Sequence, residues 1–194
     1  MRHFVYFSKS ARTTGNFDLN NLMKAGRMDI AIHSIISALF LSHDVRQDVK
    51  VHLIFYGMPD PPKHIEIQVH EETPISKKDI GNLIKKILYK YKEGEKREVV
   101  PGCFVEKKSF LKVVEELSED NEIFILDKKG EDIRKAEIPE NCVFILGDQD
   151  GLPKKELKRL KKITTKVSVG PQMYFASQTI VIVNNELDRR GLLI

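Results

Sequence analysis

Apolar and polar positions along this chain repeat with two periods, and the periods take turns. "HFVYF" (3–7) reads as a first strand, followed by a polar, glycine-containing loop over 8–16. After the interruption at Gly26, Ile30, Ile32, His33, Ile36, Leu39 and Phe40 recur at mixed three and four spacing, which predicts a helix. "VKVHLIFYG" (49–57) is a strand stopped by Gly57, "MPDPP" a turn, and "HIEIQVH" (64–70) alternates as a half-exposed strand does. The next segment opens on Ser76 as N-cap, with Asp79 three residues on. Ile80, Leu83, Ile84, Ile87 and Leu88 then form one helical face.

The second half continues the alternation. Residues 95–108 hold a short connection or strand, 109–120 an amphipathic helix, and 122–127 a buried strand ending in an Asp-Lys-Lys-Gly turn. "NCVFILGDQDGLP" is a strand running into a loop of glycines, aspartates and a proline; Pro153 then stands in the favoured first-turn position of a helix, "KKELKRLKK", that buries Leu157 and Leu160. "ITTKVSVG" (163–170) is a further strand, and a terminal helix starts near Met173. Strands alternating with helices predict an α/β fold with a mostly parallel sheet flanked by helices. In such sheets ligands bind beyond the carboxyl ends of strands. Three of those ends lie close in sequence: Leu126-Asp127, Leu146-Gly147 and Val169-Gly170. No G-x-G-x-x-G opens a helix and no phosphate-loop Gly-Lys-Ser/Thr is present, which argues against a standard dinucleotide or nucleoside-triphosphate site.

Composition narrows the class. The 194 residues suffice for one domain with a good core, read here as 1–194, and a hydrophobic share of 41% beside 31% charged is that of a soluble globular protein. No apolar run approaches the roughly 20 residues of a membrane span, and "MRHFVYF" carries no signal pattern. Cys103 and Cys142 offer neither metal spacing nor a disulfide framework, so the compartment is read as reducing and cytoplasmic, with Cys142 in the core. No metal-ligand cluster is expected. The net charge of +4 is a weak signal, but residues 77–97 and 154–162 concentrate basic side chains. These either steer toward phosphates or form a solvated lysine-rich face.

Two regions together carry a family resemblance. "FILGDQDGLP" followed by a basic helix and then "SVGPQMYFASQTIVIVNNELDR" resembles the SPOUT class of RNA methyltransferases. "ARTTGNF", "GRMDIAIHSI" and "LSHDVR", in that order, are similar to the archaeal tRNA pseudouridine-54 N1-methyltransferases, the TrmY family. The resemblance implies a carboxyl-terminal trefoil knot over about 120–194, bent S-adenosylmethionine in its loops, a homodimer, tRNA as partner, and methyl transfer to N1 of pseudouridine without metal or covalent intermediate. A looser similarity to the Emg/Nep rRNA pseudouridine N1-methyltransferases, echoed by Arg27-Met28-Asp29-Ile30, leaves rRNA as an alternative substrate. A non-catalytic RNA-binding or ribosome-assembly module on the same fold is the alternative from another class.

By motif position the resemblance makes Arg27 and Asp29 catalytic: a carboxylate can accept the N1 proton, and an arginine can stabilise the anion formed on the neighbouring carbonyls. Their i, i+2 spacing is no shared helix face, so they must sit in a loop or at a helix start; the plain alternative is a cap and a surface charge. Arg12 and Arg46 are candidate RNA contacts. Asp18 and Asn20 suit turn or cap positions, and His43 a helix end. For the cofactor the candidates are Leu126, Gly147, Gly151, Val169, Gly170, Tyr174 and Ser177, with the loop from Ser168 to Ser177 wrapping the adenine through its backbone. Gly147 is expected to let the backbone approach the cofactor closely. Ser177 stands where relatives often carry cysteine, so no thiol is essential in this loop.

Overall fold

The run Arg2–Ser8 is buried along its whole length, and it becomes β1, an inner strand of the sheet in the computed structural model, which describes residues 1–191. The other strands are β2 (Val49–Phe55), β3 (Lys63–Gln68), β4 (Arg97–Val100), β5 (Cys103–Glu106), β6 (Glu122–Asp132), β7 (Cys142–Gly147) and β8 (Thr164–Ser168). They lie in the order β4-β5-β3-β2-β1-β7-β6-β8. Strands β2, β1, β7, β6 and β8 run parallel, and β3, β5 and β4 add an antiparallel edge. The expected α/β fold with a mostly parallel sheet is therefore present, and among the described residues no helix is long and apolar enough to cross a membrane.

Alternation along β1 divides the core in two. Phe4 and Tyr6 face one layer with α1 (Met28–Leu39), α2 (Ile80–Tyr89) and α5 (Ala176–Arg189); Val5 and Phe7 face the other with α3 (Phe110–Leu117) and α4 (Lys154–Leu160). Helix α5 buries Ile180, Val183 and Leu187, each side chain contributing about 1.5–3 kcal/mol. Asn184 of α5 donates to the carbonyls of Ser37 and Ala38 and accepts from the Arg2 guanidinium at 2.7 Å, joining α1, α5 and β1. The central apolar run of this helix is thus mainly a core face, with Val181 left exposed.

Several boundaries differ from the sequence reading. Helix α2 is capped by Asp79, and Ser76 instead donates to the Asp79 carboxylate. His33 is exposed, while Ala31, Ser34 and Ile35 take the buried face. Residues 95–108 supply two strands, joined through Gly102 at φ +78. The Asp127-Lys-Lys-Gly segment does not end its strand. Leu126 and Glu131 both pair with Val167, so 127–130 is extruded as a bulge and β6 resumes to Asp132. The terminal helix begins at Ala176, and Pro153 is the N-cap of α4 rather than its first residue.

On the α3 side of the sheet, the register aligns three buried imidazoles. His3 Nδ1 lies 3.0 Å from His52 Nε2, His52 Nδ1 lies 2.9 Å from His64 Nε2, and His64 Nδ1 lies 2.9 Å from the Glu106 carboxylate. Glu106 can only accept, so His64 donates to it from Nδ1, and in each His–His contact one ring nitrogen donates and the other accepts. Burial pushes the Glu106 carboxyl up, but hydrogen bonds from His64 and Lys108 outweigh this and hold it at about 2. His52, His64 and Glu66 bring ligand atoms within 4.8 Å of one another, a cluster the sequence reading did not expect. The facing ring nitrogens are committed to each other, however, and Glu66 is paired with Lys50 and Lys96, whose charges oppose a cation there.

Burial, with Lys50 and the amino terminus, lowers His3 from 6.5 to about 4. A folded state that disfavours the proton is stabilised fully above pH 6.5, and that contribution fades as pH falls toward 4. Urea unfolding should therefore show a loss on the order of 3 kcal/mol between those limits, shrinking in His3→Gln. A stability equal at pH 7 and pH 4.5 would contradict a buried, neutral His3.

Candidate active site

The carboxyl ends of β1 and β7 meet through Asp148. Its carboxylate accepts from the Ser8 hydroxyl at 2.7 Å and from the Lys9 amide at 3.2 Å, while its own amide donates to Phe7 O. The loop then folds on itself: Asp150 N donates to the Asp148 side chain and Gly151 N to Asp148 O. A Cβ on Gly147 would lie 2.8 Å from the carbonyl carbon of Gly151. A side chain at Gly147 is thus excluded by the loop's own fold. Gly151 has φ +75, which favours glycine.

The same end of the sheet holds Arg27 and Asp29. Gly26 and Arg27 are both left-handed, at φ +70 and +61, and Arg27 N-caps α1 without a side-chain bond. A non-glycine residue held there costs of order 1 kcal/mol and marks a constrained site. A Cβ on Gly26 would strike Ser10 O, so the turn is pressed onto the loop that leaves β1. This turn lets residues two apart face each other. Arg27 Nε and Nη2 donate to the Asp29 carboxylate at 3.0 and 2.9 Å. Asp29 is therefore neither a simple cap nor Arg27 a free surface charge. The hydrogen bond from Arg27 holds the Asp29 carboxyl below its usual range, and the same bond, helped by Asp148, holds Arg27 protonated.

Beneath this pair sits Tyr6, fully buried, with the Ser8 hydroxyl beside its own hydroxyl but no well-formed hydrogen bond. Burial and the nearby Asp148 raise its pKa, so it remains a neutral donor. Neither Asp148 nor Tyr6 was singled out from sequence. The signals available were the first aspartate of "GDQDG" and one hydroxyl in an otherwise apolar strand.

The remaining candidates divide. Leu126 is half-buried at the β6 bulge, opposite Val167. Val169 and Gly170 follow β8, where the Ser168 hydroxyl bonds Gly170 O at 3.0 Å and the Tyr174 ring covers Gly170. Ser177 is half-buried at the start of α5. Val169 and Gly170 follow the end of β8, whereas Leu126 lies within β6, at the bulge that interrupts it. Arg12 lines a cavity of about 380 Å³ with Asn16, Phe17, Asp18, Asn21 and Lys24, and its buried Nε has no partner. Asp18 and Asn20 form a turn, the Asn20 amide donating to the Asp18 side chain. His43 is exposed. Arg46 lies at the opposite end of the sheet, forked onto Asp188 at 2.9 and 2.5 Å beside Arg2. The structure does not bring it to the others. A cavity of about 460 Å³ also lies at that opposite end, but Glu71, Glu72 and Glu98 line it, which disfavours a phosphate-bearing ligand. Both thiols are buried and raised by burial, to about 12 at Cys103 and about 11 at Cys142, so neither is a nucleophile.

Comparison with known proteins identifies the family. A family model described as "Putative SAM-dependent RNA methyltransferase" matches residues 1–192. A tRNA (pseudouridine(54)-N(1))-methyltransferase of Methanocella arvoryzae is 40% identical over 196 residues, covering 98% of this chain and 100% of the relative. A "Putative pseudouridine methyltransferase" of Vibrio parahaemolyticus is 37% identical, covering 98% and 99%. The presence of Vibrio relatives removes an archaeal source from what the likeness implies. Among solved structures, Archaeoglobus fulgidus Nep1 bound to S-adenosylhomocysteine superposes with a TM-score of 0.66 at 14% identity, covering 98% of this chain and 99% of that one, and so shares the fold.

Proposed function

We propose, from the premise that this chain belongs to the family of SAM-dependent RNA methyltransferases, that it methylates N1 of pseudouridine at position 54 of tRNA. The observation that carries the reading is the Arg27–Asp29 pair, set on a left-handed turn at the same end of the sheet as the Gly147–Gly151 loop. When bound, S-adenosylmethionine supplies an electrophilic methyl group on its sulfonium. Gly147, Gly151 and the backbone of 168–177 would hold it, with Leu126, Val169 and Tyr174 as apolar walls and Ser177 as a polar group. The residues fit such a ligand: the loops are built on glycines, and a buried tyrosine hydroxyl lacks a good partner beside them.

N1 of pseudouridine carries a proton and attacks well only as that proton leaves. Asp29, ionised, accepts the hydrogen bond of N1–H and passes the proton toward solvent. Arg27, fixed by Asp29, faces the negative charge that spreads to the neighbouring carbonyl oxygens. Arg12 binds RNA from its cavity, where its unpartnered Nε can meet a phosphate or base edge. Arg46, tied to Asp188, is left out of this role. We include in the proposal a single domain whose part from about 120 onward is a trefoil knot. We also include a cytoplasmic homodimer, for which exposed Met173, Phe175 and Val181 offer an apolar surface.

The test supplies labelled S-adenosylmethionine with two tRNA transcripts, differing only in uridine or pseudouridine at position 54. Label should enter only the pseudouridine form. Equal labelling of both would refute N1 as the nucleophile, because uridine has a glycosidic bond at that atom.

A further inference from the structure

The basic stretch 154–162 is not absorbed by the site, although it begins immediately after the Gly147–Gly151 loop. At 3.6 residues per turn, Lys154, Lys155, Lys158 and Arg159 fall within an arc of about 140° of α4, Glu156, Leu157 and Leu160 occupy the other side, and Lys161 and Lys162 follow at the helix end. The burial agrees: all six basic residues are exposed, whereas Leu160 is buried and Leu157 half-buried.

The one acid in this stretch does not offset them. Glu156 accepts from the Tyr56 hydroxyl at 2.8 and 2.9 Å and from the Leu111 amide at 2.8 Å, which turns it inward onto α3. Among the described residues, none of the six has an ion pair or side-chain hydrogen bond. Lys50, Lys63, Lys96, Lys107, Lys108 and Lys166, by contrast, all hold carboxylates. An inward-turned acid beside six outward, unpaired cations is a surface without an internal use for its charge. The helix is about 10 Å long, enough to span more than one phosphate.

We propose that this face of α4 is a docking surface for the phosphate backbone of the RNA, holding the tRNA beside the cofactor loop without reading its sequence. The inference rests on the reading of the site as one that acts on tRNA. Phosphate contacts position a nucleic acid, and their signature is salt dependence: each phosphate that the protein neutralises steepens the fall of log K with log salt by about 0.7–0.9.

The experiment measures binding of a pseudouridine-54 tRNA transcript by fluorescence anisotropy across a salt series. It compares wild type with the triple variant Lys155→Gln, Lys158→Gln, Arg159→Gln. A second triple, Lys86→Gln, Lys90→Gln, Lys92→Gln on and after α2, controls for net charge. The α4 variant should raise Kd at least about tenfold near 0.1 M salt and make the slope shallower by about 2–3. It should bind S-adenosylhomocysteine as wild type does and keep kcat at saturating tRNA. An α4 variant with unchanged Kd and slope, or an α2 variant with an equal loss, overturns the proposal. A wild-type protein that neither binds nor methylates the transcript overturns the reading of the site and this surface with it. A wild type that does both beside an α4 variant that matches it overturns this surface alone.

Discussion

Replacing Asp29 with asparagine lowers the methyl-transfer rate constant by about 10²–10⁴-fold, the range for loss of a positioned proton acceptor. The substitution keeps shape and hydrogen-bonding capacity but removes the charge. In the structure that charge does two things: it fixes the Arg27 guanidinium through two donors, and it stands ready to accept N1–H. Arg27 holds the Asp29 carboxyl low, so the group is ionised throughout the neutral range and its removal is felt there in full. Binding of S-adenosylhomocysteine should change little, because the pair lies at the start of α1 rather than in the glycine loops. A purely structural role gives a deficit independent of pH. The account instead expects the deficit to narrow as pH rises, since hydroxide then removes the N1 proton unaided. Full turnover in Asp29→Asn would end the assignment.

Gly147→Val should weaken S-adenosylhomocysteine binding by two orders of magnitude or more, measured by isothermal titration. The added Cβ meets the Gly151 carbonyl carbon at 2.8 Å, and backbone cannot rotate away as a side chain can. The loop must open, and the turn closed by Gly151 N on Asp148 O opens with it. Overpacking of this kind costs about 1–3 kcal/mol. The strand should survive, since Gly147 is its last residue and Phe144–Leu146 remain buried in the core. Thermal melting therefore separates the two effects: a modest drop in Tm beside a near-total loss of affinity. Unchanged affinity would mean that the cofactor does not use this loop.

The period of the apolar residues was enough to place most of the elements and the parallel character of the sheet, because β1, β2 and β7 are buried on both faces and read as continuous apolar runs. Boundaries failed where a side chain acted against its usual role. Ser76 donates to Asp79 instead of capping α2, and the bulge at 127–130 uses turn-forming residues inside a strand. Residues 95–108 concealed two short strands, the edge strand β4 and its neighbour β5, because four residues are too few to display alternation.

The site was legible where chemistry follows chain order. Arg27 and Asp29 had to stand at a helix start to face each other, and they do. Gly147 was identified for close approach, though its nearest neighbour is the loop itself. What depends on register stayed hidden. The histidine chain joins β1, β2, β3 and β5 through residues 3, 52, 64 and 106, and no local spacing announces it. Arg46 follows a promising motif, yet Asp188, 142 residues away, claims its guanidinium at the far end of the sheet. Tyr6 and Asp148 acquire meaning only once β1 and β7 lie side by side.

On the proposed reading, this end of the sheet directs a methyl group to one nitrogen of one nucleoside. The most direct measurement digests the wild-type reaction product to nucleosides and locates the added methyl by mass spectrometry and comparison with synthetic standards. The expected product is N1-methylpseudouridine, arising from position 54 alone. A methyl group found on a ribose oxygen, on N3 of the base, or at another position of the tRNA would contradict it.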